Sequence, residues 1–134
     1  MVNYLAVLVA AIVAFGVGAL WYGPLFGKKW RELMGVGAGS MGSSNMSMSQ
    51  AMVGGFIATL VMTYVLATLL IVAGAFSITS AVIFAICVWL GFVAMILMNS
   101  VWYENRSWAL YFINASHYLV AIVVAAIILA WWPW

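Results

Sequence analysis

Long apolar stretches alternate with short polar ones along this chain. Stretches without Lys, Arg, Asp or Glu occupy residues 3–22, 51–74, 78–101 and 108–131. Because about 20 largely apolar residues let an α-helix cross the hydrocarbon core of a bilayer, each stretch predicts one transmembrane helix. Strands of a β-barrel are excluded, since they would alternate polar and apolar residues over about 10 positions. The pattern predicts an all-α integral membrane protein with four spans.

The three links between these spans differ in composition. The first begins with a basic and aromatic part, residues 25–34, and continues as a Gly/Ser/Met-rich segment, residues 35–50, which we predict to be flexible. The amphipathic pattern at 25–34 predicts a short interfacial helix after the first span. The links at 75–77 and 102–107 are short, and short links favour adjacent, antiparallel helices. Residues 1–134 are therefore predicted to form a single transmembrane domain, an antiparallel up-down four-helix bundle.

The basic residues predict an orientation in the membrane. All of them lie in the first and third links: Lys28, Lys29, Arg31 and Arg106. The positive-inside rule therefore places links 23–50 and 102–107 in the cytoplasm and both termini outside. Tryptophan and tyrosine residues at the ends of the spans match the aromatic belts found at membrane interfaces. We predict a multi-pass protein of the cell (inner) membrane.

Composition excludes several classes of function. Hydrophobic residues make up 69% of the chain and charged residues only 4%, whereas a soluble domain carries roughly 25% charged residues. A net charge of +2 is too small to indicate nucleic acid as a partner. The motifs of metalloproteases and serine hydrolases, paired intramembrane carboxylates and phosphate-binding loops are missing from the sequence, so we predict no catalysis.

Helix packing in lipid relies on small residues and polar contacts, and each span has a face that offers them. Four-residue spacing defines small-residue stripes in spans one and two: Ala6, Ala10, Ala14 and Gly18, and Gly55, Thr59, Thr63 and Ala67. The corresponding inward faces are Cys87, Gly91, Met95 and Asn99 in span three, and Ser107, Tyr111, Asn114, Tyr118, Ala121 and Ala125 in span four. Opposite the latter face, Ile113, Val120, Val123 and Ile127 are expected to face lipid.

His117 is the chain's only histidine and lies near the middle of span four, one turn from Asn114. An ionisable side chain at that depth indicates function by default, as a proton relay, a metal ligand or an axial ligand of a tetrapyrrole. The alternative is a neutral imidazole that stabilises packing by a hydrogen bond to Asn114, Tyr118 or a threonine of span two. With Asn99, these residues form the candidate intramembrane polar site. His117 is also the only plausible buried metal ligand, and no cofactor is predicted.

Several runs of the sequence are similar to a known family. They are Leu20-Trp21-Tyr22-Gly23-Pro24-Leu25-Phe26-Gly27, Trp89-Leu90-Gly91-Phe92, and then Asn99, Glu104, Arg106, Ile113-Asn114 and His117. In this order they resemble a family of small prokaryotic membrane proteins catalogued as domain of unknown function 1761. The resemblance implies four spans and no particular activity. It indicates three polar positions to test, Asn99, Asn114 and His117. It also indicates a packing and interface motif, which comprises Gly18, Trp21, Tyr22, Gly23 and Pro24.

Three functions remain open from the sequence. The first is an accessory or self-associating subunit of a membrane complex, with the lipid bilayer, further copies of the chain or other membrane subunits as partners. The second is an oligomeric transporter or channel for protons or small solutes that uses His117 and Asn114. The third is binding of a cofactor or pigment through His117.

Overall fold

The computed structural model describes residues 2–35 and 47–133, and within these ranges the chain is all-helical with no β-strand. Four helices are long and apolar enough to cross a membrane. These spans one to four comprise Tyr4–Leu25, Met48–Ala73, Ile78–Trp102 and Trp108–Trp131. These helices coincide with the four predicted apolar stretches, although the second begins a few residues earlier than expected. Most of the Gly/Ser/Met link predicted to be flexible, residues 36–46, lies outside the described residues, as does Trp134.

Short polar side chains begin the helices by accepting hydrogen bonds from free backbone N–H groups. Asn3 accepts from the amides of Leu5 and Ala6 at the start of span one, and Ser107 does the same for Leu110 before span four. Reciprocal pairs, Ser47 with Gln50 and Ser77 with Ser80, begin spans two and three. Such caps satisfy donors that have no partner inside the helix.

Two spans contain a π-helical turn. In span one the α-helix Tyr4–Leu20 continues as a π-helical segment, Trp21–Leu25, in which the Phe26 amide donates to the Trp21 carbonyl at 2.8 Å. Pro24 lies inside this segment and has no N–H to donate, so the regular α-helical ladder is interrupted there. In span three the segment Leu90–Ala94 is also π-helical. Such turns are rare and occur frequently at functional sites.

A short helix, Gly27–Met34, follows span one where the amphipathic pattern predicted it. Lys28 and Lys29 are exposed on it. Gly35 ends the helix with a φ of 74°, a left-handed conformation that glycine adopts without steric cost. The predicted helix is therefore present, and its basic side chains are free to face an aqueous or headgroup phase.

Span four is the centre of the packing. It contacts spans one and three extensively and span two to a lesser extent, and spans one and two also pack together. Spans two and three pack little on each other despite the tight turn between them, so the adjacency predicted from that short link was wrong. The reason lies in the alanines of span four: Ala121, Ala125 and Ala126 are buried and allow close approach of neighbouring helices.

The small-residue stripe of span one packs as predicted. Ala6, Ala10 and Ala14 are buried in the main core cluster. In span two the lower half of the predicted stripe, Thr63 and Ala67, is buried, while Gly55 is exposed. The hydroxyl of Thr63 donates, at 2.7 Å, to the backbone carbonyl four residues earlier in the same helix. Its polar group is thus satisfied without a partner from another span.

Two predicted faces were wrong. In span three Cys87, Gly91, Met95 and Asn99 are exposed, whereas the opposite side of the helix, with Ala81, Ala85 and Ala94, is buried. In span four Ile113, expected to face lipid, is buried, and Tyr118, expected inside, is 42% exposed. Alanines present a flatter packing surface than Cys and Met, and span four is covered on several sides rather than along one stripe.

Candidate functional site

Side chains from the first π-helical turn reach span four. The Tyr22 hydroxyl donates to Oδ1 of Asn114 at 2.7 Å. The Trp21 indole donates to the backbone carbonyl of Ile113, the neighbouring residue, at 3.0 Å. Because tyrosine and tryptophan combine an apolar body with one polar atom, they can bond across helices without exposing unpaired groups. The structure therefore brings together Trp21, Tyr22 and Asn114, which the sequence had singled out separately.

Span three makes matching bonds from the other side of span four. The Trp89 indole donates to the carbonyl of Ala115 at 2.8 Å. The buried hydroxyl of Tyr111 donates in return to the carbonyl of Ala94, the last residue of the second π-helical turn, at 2.9 Å. Both π-helical turns thus adjoin the same part of span four. The side chains of Trp21 and Trp89 hold it at carbonyls two residues apart.

His117 lies beside this bonded region and contacts aromatic rings. Its imidazole contacts the ring of Tyr22, with centroids 4.9 Å apart, and that of Tyr118, with centroids 4.7 Å apart. Nε2 points at span one, 3.1 Å from the position that a Cβ at Gly18 would occupy. Glycine at position 18 therefore makes room for the histidine ring. The small residue and the histidine, predicted on different grounds, belong to one contact.

The hydrogen bond expected to hold His117 in a purely packing role is not seen among the described residues. Nδ1 is buried without a partner there. Asn114 accepts from Tyr22 instead, and the hydroxyls of Thr59 and Thr63 donate to their own helix. A buried polar atom without a partner costs about 1–3 kcal/mol, which makes its retention a feature to explain.

Other predicted site residues lie elsewhere. Asn99 is exposed on span three, on the face that points away from the packing core, and is not part of the cluster. Gly23 and Pro24 are exposed. They shape the π-helical turn that aims Tyr22, rather than contacting His117. Within residues 2–35 and 47–133, no three His, Cys, Asp or Glu side chains come together as a metal-binding group.

Two residues of the site were missed by the sequence reasoning. The sequence singles out Trp89 only as part of a run similar to a known family, whereas in the structure its indole donates a hydrogen bond to span four. Gly27 ended another such run, and a Cβ there would overlap the backbone carbonyl of Tyr22. The available signal was the recurrence of Trp and Gly in these two runs. Interfacial anchoring explained the tryptophans equally well.

A family model described as protein of unknown function, DUF1761, matches residues 5–130. This confirms the resemblance inferred from the run that contains Trp21, Tyr22, Gly23 and Pro24. No curated protein and no solved structure matches the chain.

Proposed function

The protein belongs to the DUF1761 family, and from that premise and its fold we propose that it is a four-span membrane protein that acts without catalysis, as a self-associating or accessory subunit. Four tyrosine and tryptophan side chains of the spans hold span four by interhelical hydrogen bonds: Trp21, Tyr22, Trp89 and Tyr111. This favours a structural role over an enzymatic one.

The helices are proposed to cross the bilayer as an antiparallel up-down bundle. The pairing of residues between neighbouring helices supports the antiparallel arrangement. Tyr4 stacks on Tyr64 while Phe15 meets Phe56, so residue numbers rise in span one as they fall in span two. The same opposition relates spans three and four, where Trp89 bonds Ala115 and Ala94 receives a bond from Tyr111.

With this arrangement, the positive-inside rule gives the proposed orientation in the cell's inner membrane: both termini outside, and links 23–50 and 102–107 in the cytoplasm. A fusion of alkaline phosphatase after Trp134 is expected to be active, because that enzyme folds only outside the cytoplasm. A second fusion after Glu104 serves as the matched control and is expected to be inactive. The reverse pattern would contradict the orientation.

One observation carries the proposal of association: the small and polar face of span three points outward. Cys87, Gly91 and Asn99 are exposed on it. In an apolar 18-residue stretch of span three only 17% is buried, against 39% in the corresponding stretch of span four. Small residues permit close helix approach, and Asn side chains bond between helices in lipid. We propose that a second copy of span three, or a helix of another subunit, packs on this face.

Cys87 is exposed on that face and is the chain's only cysteine, so it reports the contact directly. Mild oxidation of native membranes, or treatment with a short bifunctional maleimide, is expected to yield a dimer of the chain on a non-reducing gel. The physical reason is that a disulfide requires Cα atoms within about 7 Å. Gly91→Leu is expected to reduce the yield by blocking close approach.

The matched control moves the thiol to another exposed position. In Cys87→Ala combined with Val72→Cys, the cysteine lies on span two at a residue that is 79% exposed, and little crosslinking is expected. Crosslinks from Cys87 to a different chain would identify the protein as an accessory subunit. If neither product forms, or if both cysteine positions crosslink equally, association through span three is contradicted.

Transport is the second candidate, favoured by Nδ1 of His117, which is buried without a hydrogen-bond partner in the part of the chain that the structure describes. His117 and Asn114 are only partly buried, so a pathway through them would be completed by a second copy. In that case His117→Ala would abolish pH-dependent flux in proteoliposomes. Ligation of a tetrapyrrole or metal by His117 is not favoured by the packing, because Nδ1 is covered and Nε2 lies against Gly18.

A further inference from the structure

The exposed side chains where span one meets the short helix are apolar first and then basic. Leu25 and Phe26 are large apolar side chains that the protein leaves exposed. Lys28 and Lys29 follow almost directly and are exposed as well. In segments of this composition at a membrane surface, the apolar side chains reach the acyl chains while the lysine ammonium groups stay among the headgroups. The junction therefore presents cations at the depth of the lipid phosphates.

Arg31 adds a third cation at the same end of the short helix. Its guanidinium folds back over Gly27, with one terminal nitrogen 3.4 Å from the position that a Cβ at Gly27 would occupy. The guanidinium thus lies beside the first residue of the helix, which immediately precedes Lys28. Within residues 2–35 and 47–133, Arg31, Lys28 and Lys29 form no ion pair with a carboxylate. Their charge is therefore available to an external anion.

Tertiary packing fixes the short helix to the end of span one. Gly27 is buried, and it lies so close to the backbone carbonyl of Tyr22 that a Cβ would overlap it. Trp30 packs on the Tyr22 ring, with centroids 5.8 Å apart, and the helix also contacts span four. The exposed side of the helix, which carries Lys28 and Lys29, is therefore held at a defined position.

The packing of span one on span four brings the fourth basic residue to the same end of the bundle. Trp21, near the end of span one, bonds Ile113, near the start of span four. The short helix follows span one and the third link precedes span four, so both lie at this end. Arg106 is exposed in that link. The acidic side chains Glu32 and Glu104 lie here too, which leaves a formal net charge of +2 from four basic and two acidic groups.

We propose that this end of the protein binds the headgroup of an anionic phospholipid, with the phosphate on Lys28, Lys29 and Arg31. The acyl chains lie beside Leu25 and Phe26. About four to eight basic side chains on an amphipathic helix or next to a span are typical of anionic-lipid recognition. A second copy would bring the same cations against this surface and be repelled, a zwitterionic lipid offers no net charge, and a soluble anion leaves the apolar side chains uncovered.

The proposal rests on insertion of the spans in a bilayer, and not on association through span three. The test is titration of the full-length protein in mild detergent with phosphatidylglycerol, or with phosphatidylcholine of the same acyl chains, followed by native mass spectrometry. Each bound lipid adds its own mass, so the affinity of the first one is measured directly. We expect phosphatidylglycerol to bind more tightly. Lys28→Gln combined with Lys29→Gln is expected to weaken its binding by about fivefold for each charge removed, and to leave phosphatidylcholine binding unchanged.

Two matched variants separate the effect of charge from that of packing. Lys28→Arg combined with Lys29→Arg keeps both charges, and wild-type affinity for phosphatidylglycerol is expected. Glu32→Gln removes a negative charge from the exposed side of the short helix and is expected to strengthen that binding. Added NaCl is expected to weaken it, because salt screens charges that are exposed to solvent.

Equal affinity of the wild-type protein for the two lipids would overturn the proposal, and so would an unchanged preference in the double glutamine variant. Displacement of the lipid by inorganic phosphate, beyond the effect of NaCl at equal ionic strength, would assign the site to a soluble anion instead. Resistance of the membrane-bound protein to carbonate extraction tests insertion separately, and Cys87 crosslinking in nanodiscs of neutral lipid tests association. A failure of either is therefore distinguishable from a failure of lipid binding.

Discussion

Gly27→Ala is expected to destabilise the protein by about 2 kcal/mol or more, a large effect for the addition of one methyl group. A Cβ at position 27 would overlap the backbone carbonyl oxygen of Tyr22, which lies five residues earlier across the π-helical turn. A backbone atom cannot move aside as the end of a flexible side chain can. The π-helical turn would have to open, and the Tyr22 side chain would then no longer be directed at Asn114.

Gly23→Ala is the matched control in the same turn. A Cβ there meets nothing within 4 Å, and alanine favours helix over glycine by about 1 kcal/mol. We expect equal or slightly higher stability. The measurement is the fraction of monodisperse protein that remains after a temperature series in mild detergent, followed by the fluorescence of a fused reporter. If both variants behave alike, the close contact between Gly27 and Tyr22 does not stabilise the fold.

Ala10→Leu is expected to have the other large effect, a loss of about 1–3 kcal/mol of stability from overpacking. Ala10 is 0% exposed within the core cluster. Three additional carbon atoms there would separate span one from the helices packed on it. Because association of helices in lipid depends on close contact rather than on exclusion of water, the lost contacts are not offset by hydrophobic gain.

Ala19→Leu makes the same chemical change at an exposed position of the same helix. It is expected to leave stability unchanged, since the added atoms contact no other span. Both variants are compared by the same heating assay, and by the yield of folded protein in the membrane. Equal stability of the two would show that the small-residue stripe is not what holds span one in place.

The sequence predicted the helices well because the proposed solvent, lipid, leaves little choice. A backbone without water must satisfy its polar groups internally, so a long uncharged stretch is a helix whatever its neighbours. The starts of spans two and three are also decided locally. Ser47 and Ser77 precede these helices, and their side chains accept hydrogen bonds from backbone amides of the first turns. These are local effects, decided within a few residues.

The candidate site was predicted only as a set of residues. His117 and Asn114 were chosen because polar side chains are rare in the spans, and Gly18 because it ended a stripe of small residues. Their spatial relation depends on how span one is placed against span four. Nothing local specified that Tyr22 would bond Asn114 or that Nε2 of His117 would lie against Gly18.

The sequence by itself determined the number of long apolar helices, their approximate limits, the short helix after the first of them and the family. Tertiary structure alone decided which face of span three is buried, because four-residue spacing defines a stripe without saying whether its neighbours are lipid or protein. It also decided that the π-helical turns adjoin one region of span four. Above all, it showed that Asn114 pairs with Tyr22, and that Nδ1 of His117 finds among residues 2–35 and 47–133 no hydrogen-bond partner of the kind predicted for a packing role.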